Sequence, residues 1–215
     1  RSQKPPRPQR PNEGPNDMTA PTPIPTLDRR DVLAVLFPKP DDYLFISGLA
    51  GSARDTAGLT GDGANLFAMA GTMGAAVPMG LGLALSAPEA RVAVITGDGE
   101  MLMNVGVLAT VATLAPQNLS IVCIDNGCHG ETGGQPGHTA MNTDLALMAK
   151  GAGLASTMTA NTADDLAEGA KFLIEAAAPR LLVVRVTAGP PTAFVRNLDP
   201  AECRLRFRQA TLGSG

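Results

Sequence analysis

Two apolar runs constrain the fold of this chain more than any other feature of its sequence. The first occupies residues 93–96 and leads into Gly97-Asp98-Gly99, and the second occupies residues 121–124 and leads to Asn126. Apolar runs of this length, bounded by Gly and short polar residues, are typical of strands buried on both faces of a parallel sheet. Ligands bind at the carboxyl ends of such strands, so we expect Asp98 and Asn126 to face one site.

These two polar residues favour one kind of metal. Asp supplies a charged oxygen and Asn a neutral one, which suits Mg²⁺ or Ca²⁺ held against a phosphate, whereas zinc would favour His or Cys. The glycines on either side of Asp98 allow a diphosphate to approach the backbone closely. A helix is predicted from Glu100 to Leu114, with its N-terminus pointing at the diphosphate.

Strands and helices alternate along the rest of the chain. Further strands are predicted at residues 42–47, 154–158 and 180–186, and further helices at residues 27–37, 73–86, 144–151 and 162–178. Residues 48–61 are predicted to be a loop, and Gly61-Asp62-Gly63 a turn. This order predicts an α/β fold, a doubly wound parallel sheet with helices on both faces.

The two ends of the chain are predicted to lie outside this domain, which is expected to span residues 27–188. Residues 1–26 are rich in proline and almost free of apolar residues, so we expect a disordered tail. This tail lacks the apolar region of a secretory signal, and Met18 is a candidate for the native start. Residues 189–215 are expected to be a C-terminal tail, either solvated or in contact with another subunit.

Composition excludes several classes of protein. The hydrophobic content is 44% and the mean hydropathy +0.08, as in a soluble globular chain. A net charge of −3 gives no reason to expect nucleic acid or an anionic membrane as a partner. The three cysteines form no CxxC pair, which favours a reduced, cytoplasmic setting and speaks against an iron–sulfur cluster.

The motif Gly97-Asp98-Gly99, followed after 26 residues by Asn126, resembles the diphosphate-binding motif of thiamine diphosphate enzymes. The resemblance implies thiamine diphosphate as cofactor, with Mg²⁺ held by Asp98, Asn126 and the backbone carbonyl of Cys128. Gly71-Thr72-Met73-Gly74 resembles the segment that seats the aminopyrimidine ring. It implies that the Gly71 carbonyl accepts from the 4′-amino group and that Met73 supports the bent cofactor. The cofactor contacts implied in this way are Gly71, Thr72, Met73, Gly97, Asp98, Gly99, Glu100, Asn126, Cys128 and Gly130.

The segment from Asn126 to Pro136 resembles a smaller group of enzymes within this family. It is similar to the corresponding segment of sulfopyruvate decarboxylase β subunits and phosphonopyruvate decarboxylases, and the resemblance covers about residues 43–187. This implies a decarboxylase of a small anionic 2-oxo acid, 3-sulfopyruvate or 3-phosphonopyruvate. His129 is the catalytic candidate, either as a proton donor or as a residue that only packs.

Enzymes of this kind need a second domain that covers the aminopyrimidine ring and carries a glutamate that activates the cofactor. No Glu lies at a predicted strand end before Gly71. The resemblance therefore implies a hetero-oligomer in which an aminopyrimidine-domain, α-type subunit supplies the catalytic Glu. The alternatives are a subunit of a thiamine-dependent carboligase or oxoacid oxidoreductase, and a non-catalytic regulatory subunit that binds the cofactor.

Three features near the expected site have two interpretations each. Residues 132–135 are either an anion-binding nest of backbone N–H groups or a Gly-rich turn. Arg54 is either a surface charge or an anion contact. His138 is either only a surface residue or a residue whose role the sequence does not define.

Overall fold

A parallel sheet of six strands lies at the centre of this computed structural model, which describes residues 24–69 and 71–212. The strands are β1 (Tyr43–Ser47), β2 (Leu66–Ala68), β3 (Arg91–Gly97), β4 (Leu119–Asp125), β7 (Ser156–Ala160) and β8 (Arg180–Arg185). A separate antiparallel hairpin is formed by β5 (Cys128–His129) and β6 (Gln135–Pro136). The order in the main sheet is β2-β1-β3-β4-β8-β7. Each strand predicted from the sequence is present, with ends shifted by at most two residues.

Helices cover both faces of the sheet. They are α1 (Arg29–Leu36), α2 (Ala50–Thr60), α3 (Ala76–Ser86), α4 (Asp98–Met103), α5 (Val107–Leu114), α6 (Leu145–Ala152), α7 (Ala163–Glu175) and α8 (Pro200–Leu212). One face carries α3, α4, α5 and α6, which pack around Val94 and Ile121. The other carries α1, α2 and α7, which pack around Ile95 and Val122. The predicted doubly wound α/β fold is therefore confirmed.

The strand order reverses next to β1, which pairs with β2 on one side and β3 on the other. Helix α2 connects β1 to β2 on one side of β1, and helix α3 leads to β3 on the other side. The two helices lie on opposite faces of the sheet. Loops leaving the strand ends at such a switch point diverge and leave a crevice at the carboxyl edge. This topology places a ligand-sized opening beside the ends of β1, β3 and β4.

The loop predicted for residues 48–61 is wrong, because most of this segment forms α2. The residue before the helix, Leu49, offers no side-chain cap, so the usual start signal is missing. The helix ends at Gly61, whose φ of +62° is the left-handed conformation that favours glycine. The turn expected at residues 61–63 is present, but it closes a helix and leads into the short strand β2, which the sequence analysis did not predict.

Two predicted helices have different limits in the structure. The helix expected from Glu100 to Leu114 is divided at Asn104, whose side-chain amide donates a 3.1 Å hydrogen bond to the Gly74 carbonyl. The helix expected at residues 73–86 begins at Ala76 and is not buried on all sides, since 39% of Met79 is exposed. The face of this helix that points away from the sheet is therefore exposed to solvent in the isolated chain.

The solvated tail expected after residue 189 contains helix α8. Phe207 packs edge-on against Phe67 of β2, with ring centroids 5.7 Å apart, and Cys203 is buried on the same side of the helix. These side chains cover the edge of the sheet, which explains why this polar segment folds. Residues 1–23 of the predicted disordered tail lie outside the described residues. Within the described ranges, no helix is both long enough and apolar enough to cross a membrane.

Candidate active site

A cleft of about 560 Å³ opens at the carboxyl ends of β1, β3 and β4. Gly71 and Thr72 are exposed near its edge and do not line it. The other sequence-predicted residues do line it: Met73, Gly97, Asp98, Gly99, Glu100, Asn126, Cys128, His129 and Gly130. The fold thus brings the motif around Asp98 and the motif around Asn126 to one place.

Asp98 begins α4 and lies at the floor of the cleft, with 4% of the residue exposed. The hydroxyl of Thr139 lies 3.1 Å from Asp98 Oδ2 and 2.7 Å from Asp125 Oδ1, so one hydroxyl serves two buried carboxyl groups. Burial raises the pKa of the Asp98 carboxyl above its usual 3.8, and the negative charge of Asp125 raises it further. A cation placed beside Asp98 would offset both effects.

The neighbouring carboxylate, that of Asp125, is already paired with a cationic side chain. Arg185 Nε lies 3.7 Å from Asp125 Oδ2, and Arg185 Nη2 donates to the Thr139 backbone carbonyl at 3.2 Å. Within the described residues Asp98 has no such ion-pair partner. The site therefore combines one compensated carboxylate and one carboxylate that lacks a counter-charge.

Asn126 and Cys128 form a tight turn at the end of β4. The Asn126 side-chain oxygen accepts from the Cys128 backbone N–H at 3.2 Å. Gly127 between them has a φ of +64°, and its carbonyl accepts from Gly137 at 2.7 Å. The turn is thereby tied to the loop that carries Thr139, which fixes the Asn126 side chain relative to Asp98.

The oxygen atoms of this region fit Mg²⁺ better than a metal that needs a complete protein cage. Within the described ranges no group of three or more His, Cys, Asp or Glu side chains could hold a metal. Mg²⁺ is commonly bound by one or two protein groups together with phosphate oxygens and waters. The buried, uncompensated Asp98 carboxylate and the neutral Asn126 oxygen are donors of that kind.

Gly99 lies where two predicted site side chains meet. A Cβ at this position would lie 3.2 Å from His129 Cε1 and 3.6 Å from Met73 Cε. Glycine therefore keeps the start of α4 accessible beneath the imidazole and the thioether. The structure brings His129 and Met73 to the same wall of the cleft, although they come from different loops.

Glu100 is buried near the floor of the cleft, with 5% of the residue exposed. Burial raises the pKa of this carboxyl group, and nearby polar groups of Thr96, Leu49 and Gly97 offset part of the rise. The side chain extends to Gly48, where an added Cβ would lie only 1.7 Å from Glu100 Oε2. A negative side chain would repel a diphosphate, so Glu100 is suited to contribute its backbone N–H only.

The N-terminus of α2 forms the opposite wall, which is absent from the predicted site because the sequence pattern predicts a loop for this segment. The first N–H groups of a helix have no partner within the helix, and no side chain caps α2. Ser52 is buried at this wall of the cleft. Arg29 runs beneath Gly51 and forms a buried 2.7 Å ion pair with Asp55. Gly61, which adopts the left-handed conformation at the end of α2, is the sequence feature that indicates the end of a helix here.

The rim of the cleft carries a pair of opposite charges. Arg54 Nη2 lies 3.6 Å from Glu131 Oε1, and both side chains are almost half exposed. Beside this pair, the N–H groups of Thr132 and Gly134 donate to the His129 carbonyl at 3.2 and 2.9 Å. Because these N–H groups are used within the hairpin, the Gly-rich turn describes residues 132–135 better than an anion nest. His138 is exposed, as expected.

Comparison with known proteins gives a consistent result. The family described as thiamine pyrophosphate enzyme, C-terminal TPP binding domain, matches residues 60–184. The sulfopyruvate decarboxylase subunit beta of Methanocaldococcus jannaschii is 36% identical over 67% of this chain and 76% of its own length. The phosphonopyruvate decarboxylase of Streptomyces viridochromogenes is 36% identical over 87% of this chain. The match spans only 46% of that protein, so this chain corresponds to about half of it.

A solved structure supports the same fold. The Rhodococcus jostii RHA1 thiamine diphosphate-dependent 4-hydroxybenzoylformate decarboxylase superposes with a TM-score of 0.62 and is 22% identical. The superposition covers 81% of this chain and 35% of the other. At this identity the likeness concerns the fold alone.

Proposed function

The chain belongs to the thiamine pyrophosphate enzymes and contains their C-terminal TPP-binding domain, and on that premise we propose that it is the diphosphate-binding subunit of a decarboxylase. The substrate would be a small 2-oxo acid with a second anionic group, 3-sulfopyruvate or 3-phosphonopyruvate. Support comes from the 36% identity to a sulfopyruvate decarboxylase subunit beta and to a phosphonopyruvate decarboxylase. Thiamine diphosphate would serve as the cofactor together with Mg²⁺.

The observation that carries this proposal is the buried Asp98 carboxylate without a counter-charge. It lies in the same cleft as Asn126 and opposite the open N-terminus of α2. In this proposal Asp98, Asn126 and the Cys128 carbonyl would hold Mg²⁺, which would offset the negative charge of the diphosphate. The free N–H groups of α2 and the Ser52 hydroxyl would bind the terminal phosphate, since helix N-termini favour anions.

When bound, the cofactor supplies the electron sink for the loss of CO₂. The chain's own residues orient and enclose it. Met73 and His129 come together over Gly99, so a ligand between them would be held against the start of α4. We assign Met73 the support of the bent cofactor and His129 the delivery of a proton to the reacting carbon. A His129→Gln variant with wild-type kcat in the assembled enzyme would exclude that role.

The substrate's second anionic group is assigned to Arg54. Its guanidinium lies at the rim, paired loosely with Glu131 at 3.6 Å, so an incoming sulfonate or phosphonate can compete for it. Arg forms strong charge-assisted hydrogen bonds with such groups. The aldehyde product keeps the distal anion, and Glu131 would compete with that anion for Arg54 and so favour release of the product.

A partner subunit is proposed to carry the glutamate that activates the cofactor. Among the residues that line the cleft, the glutamates are Glu100, which extends under Gly48, and Glu131 at the rim. Glu100 is buried against Gly48, and Glu131 is paired with Arg54 at the rim. The site on this chain is therefore proposed to be half of a shared one.

The test measures CO₂ release from 3-sulfopyruvate and from 3-phosphonopyruvate with thiamine diphosphate and Mg²⁺. The chain is assayed alone and mixed with an aminopyrimidine-domain subunit. We expect turnover only in the mixture, and we expect Asp98→Ala to abolish both turnover and Mg²⁺-dependent cofactor binding. Asp164→Ala, on the exposed surface of α7, is the matched control and should change neither. Full activity of the chain alone would refute the shared site. Tight cofactor binding without turnover in any mixture would favour a regulatory subunit.

A further inference from the structure

A second cavity lies at the amino ends of the central strands, on the edge of the sheet opposite to the cleft. It has a volume of about 230 Å³ and is lined by the starts of β1, β3, β4 and β8 and by the last turn of α7. None of the residues that the proposed function assigns to the cofactor or the substrate lines it. A ligand in this cavity would therefore not compete with the cofactor for space.

The pairing of the strands brings polar side chains together here. Ser120 of β4 pairs with Arg180 of β8, so these two side chains leave the sheet side by side on the same face. Ala93 of β3 pairs with Ser120, and Arg91 lies two positions before Ala93, so Arg91 points to this face as well. Helix α7 packs on the same face, and Leu173 of its last turn closes one side of the cavity.

The guanidinium group of Arg180 lies in this cavity without a counter-charge. Its Nη1 donates to the Leu173 carbonyl at 2.6 Å, whereas its Nε is buried and has no hydrogen-bond partner within the described residues. Burial lowers the pKa of Arg180 below its usual 12.5. The carbonyl accepts one proton of the guanidinium group but does not neutralise its charge. A buried charge is costly unless it is paired, so an anion in the cavity would stabilise this side chain.

Arg91 supplies a second cation to the cavity. Its Nη1 lies 3.9 Å from Asp42 Oδ2, and both side chains are more than half exposed, so this ion pair is loose. The guanidinium carbon lies 5.9 Å from the centre of the Tyr43 ring, which orients the side chain. Glu89 also lines the cavity, but within the described chain it forms no ion pair with either arginine. The cavity therefore combines two cationic groups with one loosely held carboxylate partner.

We propose that this cavity binds a phosphoryl group, carried either by free phosphate or by a small phosphorylated metabolite. The two guanidinium groups come from different strands, and the buried Ser120 lies on the strand between them. Donors that converge from several directions suit a tetrahedral oxyanion, and arginine forms strong charge-assisted hydrogen bonds with phosphate. The volume is several times the roughly 30 Å³ that one water occupies in the liquid, so it exceeds the needs of a single water. Leu173 and Ile174 offer an apolar wall to a small organic body.

The experiment measures amide hydrogen exchange of the purified chain as a function of the concentration of inorganic phosphate. Ionic strength is held constant with sodium chloride, because salt screens contacts of this kind. Protection of residues 89–91 and 174–181 reports on the cavity, and protection of residues 50–54 reports on the cleft. The two sites are thereby read separately in one titration.

Two variants each remove one guanidinium group, Arg91→Gln and Arg180→Gln. Arg91 is exposed, so its variant keeps the proposal testable even if Arg180→Gln is destabilised by the loss of its contact with Leu173. Thermal melts check that both are folded. Arg204→Gln, on the exposed surface of α8, is the matched control for the loss of a positive charge, and Arg54→Gln is the control for phosphate in the cleft.

We expect phosphate to protect the cavity segments, with an affinity that falls roughly tenfold or more in Arg91→Gln and in Arg180→Gln, because each loses charge-assisted hydrogen bonds to the anion. Arg204→Gln and Arg54→Gln should keep the wild-type affinity at the cavity.

Phenyl phosphate distinguishes the two sources of the phosphoryl group. Tighter binding than that of phosphate would indicate a phosphorylated metabolite whose body rests on Leu173 and Ile174, and weaker binding would indicate free phosphate. The proposal would be overturned if neither compound protected the cavity at millimolar concentration, if protection were confined to residues 50–54, or if all four variants bound equally well. The proposed decarboxylase function does not enter these outcomes, so either proposal can fail without the other.

Discussion

The hydroxyl of Thr139 is the contact whose removal best tests the architecture of the site. It lies 3.1 Å from Asp98 and 2.7 Å from Asp125, and the residue is 6% exposed. Thr139→Val replaces the hydroxyl by a methyl group of similar size and keeps the β-branched shape. The substitution therefore removes the shared hydrogen-bond donor and leaves no cavity.

The expected loss of stability follows from the number of protons that the Thr139 hydroxyl can donate. A hydroxyl has one proton, so it counts as one hydrogen bond to a charged group, worth about 1.5–3 kcal/mol. For a chain of this length each kcal/mol corresponds to roughly 2–4 °C in the thermal midpoint. Thr139→Val should therefore lower the free energy of unfolding by about 1.5–3 kcal/mol and the midpoint by roughly 3–12 °C. The affinity for thiamine diphosphate with Mg²⁺ should fall as well, because Asp98 loses its orienting contact.

The assay is urea unfolding followed by far-UV circular dichroism, with a chelator present so that metal does not contribute. Thr113→Val is the matched control, since this exposed threonine donates only to the Ala109 carbonyl of its own helix, at 2.8 Å. The control should stay within about 0.5 kcal/mol of the wild type, as is usual for surface substitutions. Equal losses in the two variants, or no loss at Thr139, would refute the idea that this hydroxyl links the two carboxyl groups.

Four further outcomes are expected. Gly80→Ala should lower the free energy of unfolding by about 1–2 kcal/mol, because overpacking outweighs the gain in helix propensity where the new methyl would lie 2.0 Å from a buried valine. Gly82→Ala on the same helix has open space and should be neutral or stabilising by up to about 1 kcal/mol in the same urea experiment. The pKa of Asp28 is lowered from 3.8 to about 2 by hydrogen bonds from Arg30, so Asp28→Asn should be less stable than the wild type above pH 3.8, with the difference closing as the pH falls through about 2. In the assembled enzyme, Arg54→Gln should raise KM for 3-sulfopyruvate roughly tenfold or more and that for pyruvate little, since only the former has a distal anion to lose.

The parts of the site that could be predicted from the sequence are those defined by local pattern. The strand ends at Asp98 and Asn126 follow continuous apolar runs, and the alternation of runs and helices was enough for the fold class. The segment before α2 gave no cap signal at Leu49, and β2 has only three residues, so both were missed. In α8 two buried side chains among charged ones were too weak a pattern to distinguish a packed helix from a solvated tail.

The sequence by itself determined which residues stand at the ends of the two central strands, because hydrophobic runs and glycines act over a few neighbouring positions. Only the tertiary structure decided what surrounds them. Thr139 reaches Asp98 from 41 positions away, and Arg29 reaches Asp55 from 26 positions away. The burial that raises the pKa of Asp98 exists only once the loops after three strands have packed together, and burial of this kind depends on the whole fold and not on any local run of residues.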